Sequence, residues 1–353
     1  MTEPMRVGVV GCGIIAKHYL EHASAFSSWR PVACADLDSE AAEAFGADHD
    51  LRVLPVDELI AGDDVDLVLN LTPPRAHAAV LQATLDAGKH AYTEKPLATT
   101  VSDARDVLAL ADELGLRLGC APDTFLSSAY ETGRRLLAED AIGFPLGANA
   151  TMLVGGPEGW HPNAEMFYRA GGGPLLDIAP YYLTAIVSLL GPIASVAGFA
   201  ETPTAERMLG AGPRAGETIV VEVPTHAATV LQLQSGALAT LAVSFEARDQ
   251  YESRLVVYGS EGVLELPDAN HFGGEIVLRR GNEPATRIAY EDRGAQETRG
   301  YGIEELVTAL RAGRPHRASA ALGLHVLEAA EAALTSAEEL RTVTLTTDRP
   351  AFA

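Results

Sequence analysis

The first stretch able to do chemistry is GVVGCGIIAKHYL, in which Gly11, Gly13 and Ala16 have the spacing G-x-G-x-x-A. Glycine at position 11 permits a tight turn, and the missing side chain at Gly13 lets a pyrophosphate approach the backbone. The small Ala16 allows a following helix to pack closely. Because the pattern lies between a strand-like run and a helical one, it predicts a dinucleotide-binding loop; glycines without this context would fit a structural turn equally well.

An acidic residue, Asp36, ends the second strand-like run, RPVACAD. In dinucleotide-binding folds, a carboxylate at this distance downstream of the glycines binds the hydroxyls of the adenosine ribose. Its charge would repel a 2′-phosphate, and residues 37–40 contain no cation to compensate. The sequence therefore favours NAD over NADP as the cofactor, with a plain turn residue as the alternative for Asp36.

A lysine between a glutamate and a proline follows the apolar run KHAYTE: Lys95 lies between Glu94 and Pro96. Ligands of doubly wound sheets bind beyond the carboxyl ends of the strands, so Lys95 is predicted to point toward the nicotinamide half of the cofactor. Pro96 would fix the turn, and an X-Pro bond is where a cis peptide is tolerated. The alternatives are a lysine on a surface turn and a structural salt bridge to Glu94.

A sheet is needed to position these residues, and strand-like and helical runs alternate up to about residue 120. Apolar runs without strict alternation are typical of parallel strands covered on both faces. The pattern predicts an α/β fold with a doubly wound Rossmann sheet in an NAD(P)-binding domain, residues 1–123. Strands are predicted at 5–11, 30–36, 65–71, 89–94 and 116–120, and helices at 14–26, 39–45, 75–87 and 101–114, the last capped by Ser102 or Asp103.

The remaining chain, residues 124–353, predicts a C-terminal α+β domain with a large, mostly antiparallel sheet. The segment ALATLAVSFEA alternates large and small side chains, as a sheet with one face packed on helices would. Residues 203–216, rich in Pro, Gly and Ala, are predicted to form a mobile loop. Strands are predicted at 193–200, 218–223, 227–234, 237–246, 252–258 and 275–280, and helices at 127–139, 178–190, 301–312 and 320–339.

The composition excludes several classes of partner. With 26 Lys plus Arg against 48 Asp plus Glu, the formal charge of -22 would repel a nucleic-acid backbone and anionic lipid. No apolar run reaches the roughly 20 residues that a membrane span needs, and the N-terminus is too short and polar for a signal peptide, so a cytoplasmic protein is predicted. Cys12, Cys34 and Cys120 suit buried thiols, and no Cys or His cluster has zinc-site spacing, so no metal is predicted.

Four segments taken together resemble one family. They are GVVGCGIIA, NLTPPRAH with Thr72, Pro73, Pro74 and His77, the triplet at 94–96, and GGGPLLDIAPYY at 171–182. From about residue 5 to residue 345 the chain resembles the Gfo/Idh/MocA oxidoreductases, typified by glucose-fructose oxidoreductase and inositol dehydrogenase. The cofactor-binding residues are then expected to be Gly11, Gly13, Ile14, Ile15, Ala16, Asp36, Thr72, Pro73, His77, Glu94 and Lys95, although His77 could equally cap its own helix.

The resemblance gives Lys95 a catalytic role. In the family the lysine of the triplet is the acid/base or its close electrostatic partner, and it contacts the reacting hydroxyl. Oxidation of an alcohol removes its proton as the hydride leaves, and burial together with the like charge of NAD⁺ lowers the pKa of an ammonium group. Glu94 is expected to orient Lys95.

The glycine-rich segment departs from the family pattern. Many relatives read G-G-G-x-L-x-D-x-G-x-H, whereas this chain keeps Leu175 and Asp177 but has Ala179 and Tyr181 at the last two positions. Tyrosine there also resembles glucose-fructose oxidoreductase and the dihydrodiol dehydrogenases, which implies a tyrosine-type active site. Tyr181 is expected to donate or relay a proton with Lys95 as partner, and Asp177 to bind a substrate hydroxyl; the alternative is that Tyr181 is a core aromatic.

Further substrate contacts are expected in the segment GPEGWHPNAEMFY, where Trp160 could stack on a sugar face and His161 and Tyr168 could bond its hydroxyls. A structural role for His161 is an equal alternative. A second departure lies at GCAPDTF, residues 119–125, where many relatives carry Asn and Arg. The contacts of those residues cannot be transferred to this chain.

The leading prediction is an NAD-dependent dehydrogenase that moves a hydride between nicotinamide and a ring hydroxyl or ketone of a sugar, inositol or related cyclic polyol. One alternative retains NAD through each turnover, as a redox-neutral glycosidase or a sugar-sugar oxidoreductase would. The other is a non-catalytic NAD-binding regulator, which would not need Lys95, Asp177 and Tyr181. The resemblance also implies a homodimer or homotetramer.

Overall fold

The computed structural model describes residues 3–347, apart from the side chain of Asp249. Contacts within the chain group these residues into two compact units. The first unit comprises the chain up to Leu126 together with Arg293–Leu324, and the second comprises Ser127–Asp292 and the segment that begins at His325. A domain boundary at residue 123 remains a prediction, but residues 293–324 group with the first unit and not with the second.

In the part of the first unit that lies within residues 3–347, six strands are present: β1 (Met5–Val10), β2 (Trp29–Ala35), β3 (Arg52–Val53), β4 (Leu67–Asn70), β5 (His90–Thr93) and β6 (Leu118–Cys120). They form one sheet in the order β3-β2-β1-β4-β5-β6, and every pairing in it is parallel. All four residues of β4 are buried, as expected for a strand covered on both faces. The predicted doubly wound Rossmann sheet is confirmed.

The helices that follow these strands are α1 (Ile14–Leu20), α2 (Ser39–His49), α3 (Val56–Ala61), α4 (Pro74–Asp86) and α5 (Val101–Leu114). Two details of the prediction are wrong. The helix α1 ends at Leu20 and not at residue 26, and Thr100, instead of Ser102 or Asp103, caps α5 by accepting a hydrogen bond from the N–H of Asp103. The elements β3 and α3 were not predicted because two and six residues are too short to show periodicity.

Among the described residues, the second unit contains eleven strands: β7 (Pro145–Gly155), β8 (Ile193–Glu201), β9 (Glu206–Met208), β10 (Thr218–Val220), β11 (His226–Leu233), β12 (Leu238–Ser244), β13 (Glu246–Gly259), β14 (Gly262–Leu266), β15 (Ile276–Arg280), β16 (Thr286–Ile288) and β17 (Val343–Thr344). Nine form a sheet in the order β16-β15-β14-β13-β7-β12-β11-β8-β17. Only the β7 and β12 pairing in this sheet is parallel. The predicted large, mostly antiparallel sheet is confirmed.

The central strand of this sheet, β7, is absent from the prediction. Its sequence PLGANATMLVG is rich in small residues, and its large apolar residues adjoin one another only near the end, at 152–154. Small residues are required here, because a Cβ on Gly147 would lie 2.0 Å from the carbonyl oxygen of Leu238 in β12. Close approach of two backbones thus removes the hydrophobic signal that identifies most strands.

The prediction of a mobile loop at residues 203–216 is wrong in part, because β9 lies within it and pairs with β10 in an antiparallel hairpin. We call residues 206–220 the hairpin. The strand β10 falls within the strand predicted at 218–223, whereas β9 resembles a loop because its only buried residue is the middle one, Arg207. A buried arginine is not a strand signal.

The remaining helices are α6 (Ser128–Ala138), α7 (Pro174–Asp177), α8 (Ala179–Leu190), α9 (Tyr301–Arg311) and α10 (Ala320–Glu339). In the second unit α8 packs on β7 and β12. Residues of β11 alternate strictly between exposed and buried, so the opposite face of the sheet is open at this strand. The helix α9 belongs to the first unit, and α10 begins in the first unit and ends in the second.

Three features bear on the predicted class of protein. Within residues 3–347, none of the helices combines the length and the apolar character that crossing a membrane requires. The same residues contain no group of three or more His, Cys, Asp or Glu side chains placed to hold a metal ion. All three cysteines are buried free thiols, as predicted.

Candidate active site

The glycine-rich loop leaves β1 and enters α1. Gly11 has a φ of 99°, and a Cβ there would lie 2.6 Å from the backbone carbon and oxygen of Leu71. Gly13 is the N-cap of α1, and a Cβ there would meet no atom within 4 Å. Ala16 is fully buried, whereas Ile14 is exposed. The first glycine is therefore required by the fold, while the second leaves open space at the surface of the loop.

Asp36 follows β2 and is tied to the glycine-rich loop. One carboxylate oxygen, Oδ2, accepts a hydrogen bond of 2.7 Å from the N–H of Cys12, and Oδ1 accepts one of 3.0 Å from the N–H of Asp38. The next residue, Leu37, is 96% exposed. Two backbone donors thus fix the carboxylate at the carboxyl end of the sheet, where the sequence predicts an adenosine ribose.

His77 joins the segments that follow β4 and β5. Its ring is completely buried. Nδ1 lies 2.6 Å from the carbonyl oxygen of Pro96, and Nε2 lies 2.8 Å from that of Thr72. Both nitrogens therefore face backbone groups, and neither the predicted cofactor contact nor a helix cap describes this arrangement. His77 instead holds together two loops that carry predicted site residues.

The protonation of His77 decides how many of these contacts are hydrogen bonds. A neutral imidazole donates one, and an imidazolium donates two. Burial lowers the pKa of His77, and the charge of Lys95 acts in the same direction, whereas the two carbonyls and Glu94 oppose them. Because the pKa lies below its ordinary value, the neutral ring donates to one carbonyl at neutral pH.

Glu94 and Lys95 follow β5 directly. The Glu94 side chain is buried, and its Oε1 accepts a hydrogen bond of 2.9 Å from the hydroxyl of Tyr19 in α1. Its Oε2 accepts one of 3.1 Å from the backbone N–H of Lys95. Burial raises the pKa of Tyr19 well above its ordinary value, so the phenol remains a donor. Glu94 therefore orients Lys95 through the backbone, and the bond from Lys95 to Pro96 is cis.

In the second unit, Gly173 begins α7 with a φ of 84°. Asp177 ends α7 and is half-buried, and Tyr181 lies four residues later in the first turn of α8 with 6% of its surface exposed. The neighbouring Tyr182 is fully buried, and its hydroxyl lies 2.7 Å from Ser253 Oγ and donates to Asp268. Tyr182 is therefore a core residue, while the proton-transfer role of Tyr181 remains a prediction.

Trp160 and His161 lie in residues 157–168, which we call the 157–168 loop. The indole of Trp160 is 64% exposed. The His161 ring makes edge contacts with the rings of Trp160 and Phe167, at centroid distances of 5.3 and 5.1 Å. Its Nδ1 accepts a hydrogen bond of 3.1 Å from the N–H of Asn163, and burial lowers its pKa although Asp177 opposes this. The neutral ring therefore carries its proton on Nε2, as a donor.

Tyr168, the last residue of the 157–168 loop, is fully buried. Its hydroxyl donates to Glu158, and its ring lies 5.6 Å from the guanidinium carbon of Arg207. Burial is also the first reason that the pKa of Tyr168 is far above its ordinary value. This placement does not favour the predicted substrate contact, because the phenol already has an internal acceptor.

Comparison with known proteins identifies both parts of the chain. Residues 5–121 match the family model described as "Oxidoreductase family, NAD-binding Rossmann fold", and residues 130–265 match the GFO/IDH/MocA C-terminal domain. A dTDP-3,4-didehydro-2,6-dideoxy-alpha-D-glucose 3-reductase of Saccharopolyspora spinosa is 31% identical over 274 residues, which cover 76% of each chain. The chain belongs to the Gfo/Idh/MocA oxidoreductase family.

Two other known proteins are similar to this chain over almost its whole length. An inositol 2-dehydrogenase of Rhizobium meliloti (strain 1021) is 26% identical over 344 residues, 97% of this chain and 99% of the relative. The solved structure of a levoglucosan dehydrogenase in complex with NADH and L-sorbose has a TM-score of 0.83 at 23% identity, covering 97% of this chain and 99% of that one. At this identity the second likeness shows the fold alone. The predicted family is confirmed, and the tyrosine-type active site remains a prediction.

The first unit fits the NAD of a Gfo/Idh/MocA protein. The open space at Gly13 is where a pyrophosphate approaches the backbone of a Rossmann loop. The fixed carboxylate of Asp36 can accept hydrogen bonds from a ribose diol, and it disfavours a 2′-phosphate. The residues that would hold the dinucleotide are Gly11, Gly13, Ile14, Ile15, Asp36, Thr72 and Pro73.

The departure from the family pattern at residues 119–125 has a structural explanation. Asp123 is fully buried, and its Oδ2 accepts hydrogen bonds of 3.0 Å from the N–H groups of Gly300 and Gly302 at the start of α9. Burial raises the pKa of Asp123 to about 6. Asp123 therefore caps a helix that lies far away in the sequence, and nothing local to residue 123 indicates this role.

The structure thus brings together, at the carboxyl ends of neighbouring strands, the predicted residues of the first unit: Gly11, Gly13, Asp36, Thr72, Pro73, Glu94 and Lys95. In the second unit it places His161 within the electrostatic influence of Asp177. Residues that sequence reasoning missed are Tyr19, which supports Glu94, and Asn70, whose side-chain Oδ1 accepts a hydrogen bond of 2.7 Å from the Thr72 hydroxyl. Arg207 was also missed, because it lay in a segment predicted to be a loop.

Proposed function

We propose that this protein transfers a hydride between NAD and a ring hydroxyl or ketone of a sugar, inositol or related cyclic polyol. The observation that carries the proposal is the support of Lys95: its backbone N–H is held by a buried carboxylate, Glu94, which Tyr19 in α1 fixes in turn. A lysine whose backbone is held in this way beside a dinucleotide loop is better suited to acid-base chemistry than a lysine on a solvent-exposed turn. The inositol 2-dehydrogenase among the relatives supports this class of substrate.

The cofactor supplies the hydride chemistry when it is bound, and the chain must move the proton. In alcohol oxidation the hydroxyl proton leaves as the carbon loses its hydride, so a base is needed at that oxygen. We assign this role to Tyr181, with Lys95 as its partner. In the reverse direction the same phenol returns the proton to the carbonyl oxygen. Asp177 accepts a hydrogen bond from a neighbouring substrate hydroxyl.

Trp160 and His161 are assigned to substrate binding. The exposed indole offers an apolar surface to the face of a ring, and the Nε2–H of His161 offers a donor to a ring hydroxyl. Tyr168 is not assigned a substrate contact.

The proposal is tested by measuring NADH formation with a panel of sugars and inositols, in the presence of NAD or NADP. We expect activity with NAD, and a loss of about 10²- to 10⁴-fold in kcat for Lys95→Ala and Tyr181→Phe, the usual range for a positioned acid or base. Dinucleotide affinity of Tyr181→Phe should equal that of the parent.

The matched control for Lys95→Ala is Lys17→Ala, because Lys17 is an exposed lysine of α1. It should leave kcat unchanged. Parent-like turnover by Lys95→Ala would contradict the catalytic assignment. Substrate conversion without net release of NADH would instead indicate an enzyme that regenerates its bound cofactor in each turnover.

We also infer that the protein forms homo-oligomers through the open face of the nine-stranded sheet. Apolar side chains are exposed there on three adjacent strands: Phe199 at 70%, Val230 at 47% and Leu238 at 55%. Light scattering should give a mass of two or four chains, and Val230→Lys should lower it. A monomeric parent would contradict the inference.

A cytoplasmic location remains a prediction, to be tested by cell fractionation.

A further inference from the structure

The hairpin lies along the 157–168 loop over much of its length. The N–H of Gly210 donates a hydrogen bond of 2.8 Å to the carbonyl oxygen of Glu158, near the start of the loop. A Cβ on Gly212 would lie 2.2 Å from the carbonyl oxygen of Pro162, near its middle. The N–H of Glu222, just after the hairpin, donates one of 2.8 Å to the carbonyl oxygen of Tyr168 at its end. The two segments therefore form one structural layer.

The side chain of Arg207 ties this layer to the large sheet. It is 1% exposed, and its guanidinium donates to Glu158 in the loop at 2.8 Å and to Glu246 at the start of β13 at 2.5 Å. Glu246 also accepts hydrogen bonds from Thr204, at 2.9 Å, and from Thr225. Arg207 is thus a single buried cation between two carboxylates that come from different segments.

Such an arrangement specifies geometry more than it adds stability, because desolvation of the charges offsets much of their attraction. Without the cation, Glu158 and Glu246 would remain partly buried as like charges, and the loop would have to move to hydrate Glu158. Trp160 lies two residues beyond Glu158, and its indole is mostly exposed and contacts the His161 ring of the same loop. Its position therefore depends on the backbone that Arg207 fixes.

We propose that Arg207 is a positioning residue for substrate: it holds the 157–168 loop so that Trp160 and His161 are presented in one fixed arrangement to a cyclic polyol. The proposal rests on the proposed function for the identity of the ligand, but not for the effect of Arg207 on the loop. Because the loop contributes binding rather than proton transfer, the loss of Arg207 raises KM and leaves kcat almost unchanged.

The variants to compare are Arg207→Met, Arg207→Lys and Arg214→Met. Methionine keeps an unbranched side chain and removes the charge, whereas lysine restores a charge that cannot bridge two carboxylates with a fixed fork. Arg214 is the matched control, because it pairs with Glu165 of the same loop but is 47% exposed. An exposed pair of this kind contributes little.

The first measurement does not depend on activity. The chain contains two tryptophans, so 5-fluorotryptophan labelling gives two ¹⁹F resonances, and Trp160→Phe assigns them. In Arg207→Met the Trp160 resonance should shift or broaden, while that of Trp29, in the first unit, should not change. Arg207→Lys should show a smaller change, and Arg214→Met should match the parent.

The second measurement is steady-state kinetics with the best cyclic polyol of the panel. We expect KM to rise about 10- to 100-fold in Arg207→Met with kcat within about threefold of the parent, and a partial return in Arg207→Lys. Should Arg207→Met fail to fold, Glu246→Gln removes one partner of the same cation and should move the Trp160 resonance likewise.

An unchanged Trp160 resonance, or a loss of kcat at unchanged KM, would overturn the proposal. If no polyol is oxidised by the parent, the proposed function fails, and the ¹⁹F comparison still decides whether Arg207 fixes the loop.

Discussion

The two units hold their functional residues in different ways. In the first, Asp36 and Lys95 each lie one or two residues beyond a parallel strand. Asp36 accepts a hydrogen bond from the N–H of Cys12, and the N–H of Lys95 donates one to the adjacent Glu94. In the second, the 157–168 loop is held by Arg207, which is 49 residues from Glu158 and 39 from Glu246. Strand ends position residues by topology, whereas a long loop needs charged side chains from distant segments.

If strand ends position residues by topology, the largest effect is expected from a change at Gly11, in the loop that follows β1. In Gly11→Ala the new Cβ would lie 2.6 Å from the backbone of Leu71, at a φ of 99° that side chains rarely adopt. We expect NADH affinity to fall by about 100-fold or more, since strain of about 1–3 kcal/mol adds to the clash. Fluorescence titration with NADH measures this.

The control for this change is Gly13→Ala, whose Cβ would meet no protein atom. It should keep the melting temperature of the parent, and any loss of affinity then reports contact with the ligand itself. Parent-like NADH affinity in Gly11→Ala would show that the backbone at this loop adapts.

The next prediction concerns pH, where the two units should respond in opposite directions. Burial raises the pKa of Asp123 in the first unit from 3.8 to about 6, so the native state binds its proton more tightly. Its contribution to stability is therefore present at low pH and is lost as the pH rises from about 4 to about 6, by about 3 kcal/mol. In Asp123→Asn this loss should disappear.

His325 in the second unit should show the reverse. Burial lowers its pKa from 6.5 to about 4, so the native state excludes the proton and its contribution is lost as the pH falls from about 6.5 to about 4, by a similar amount of about 3 kcal/mol. Urea unfolding at several pH values measures both. As the pH rises, the stability of Asp123→Asn should increase relative to that of the parent, and the stability of His325→Gln should decrease relative to it. Plots of unfolding free energy against pH that run parallel to the parent's would refute the assignments.

A smaller effect, on the free energy of unfolding, tests whether Tyr168 has a structural role. Its hydroxyl donates to Glu158 inside the second unit, so Tyr168→Phe should lower the free energy of unfolding by about 1–3 kcal/mol with parent-like kcat. Tyr258→Phe is the control, because the Tyr258 hydroxyl accepts an exposed hydrogen bond from Asn149. Unchanged stability together with weakened substrate binding would instead restore the direct contact that the sequence predicted.

The smallest effect concerns the cap of α5 in the first unit. Thr100→Ala should lower the free energy of unfolding by about 1 kcal/mol, because the side chain of Thr100 accepts the hydrogen bond of the Asp103 N–H. Ser102→Ala, at one of the two cap positions predicted from the sequence, should have almost no effect. Equal effects of the two changes on urea unfolding would argue against the observed cap.

The comparison also explains which features could be predicted from the sequence. Gly11, Asp36 and Lys95 were found because their motifs are local and each adjoins an apolar run that reads as a buried strand. The strand β7 was missed because close contact with β12 requires small residues there. The strand β9 was missed because its one buried side chain, Arg207, is charged, and the partners of Arg207 lie dozens of residues away.

Within the candidate site, too, the sequence predicted local motifs but not the contacts of their side chains. His77 was recognised as part of a motif, but only the structure shows that both ring nitrogens face backbone carbonyls. At Asp123 the sequence showed only a departure from the family pattern, whereas the structure shows that Asp123 caps α9, more than 170 positions away along the chain. A sequence shows which groups are available for chemistry, and only coordinates show which of them are already used by the fold.

The hydrogen bond from Tyr19 to Glu94 has one more consequence. The helix α1, which begins at the dinucleotide loop, also carries Tyr19, which holds Glu94 and through it the backbone of Lys95. One helix therefore supports both coenzyme binding and the orientation of Lys95. A displacement of α1 by even a fraction of an ångström would disturb both the binding of the coenzyme and the orientation of Lys95. Sequence changes that displace α1 are therefore constrained in evolution, because they would alter coenzyme binding and turnover at once.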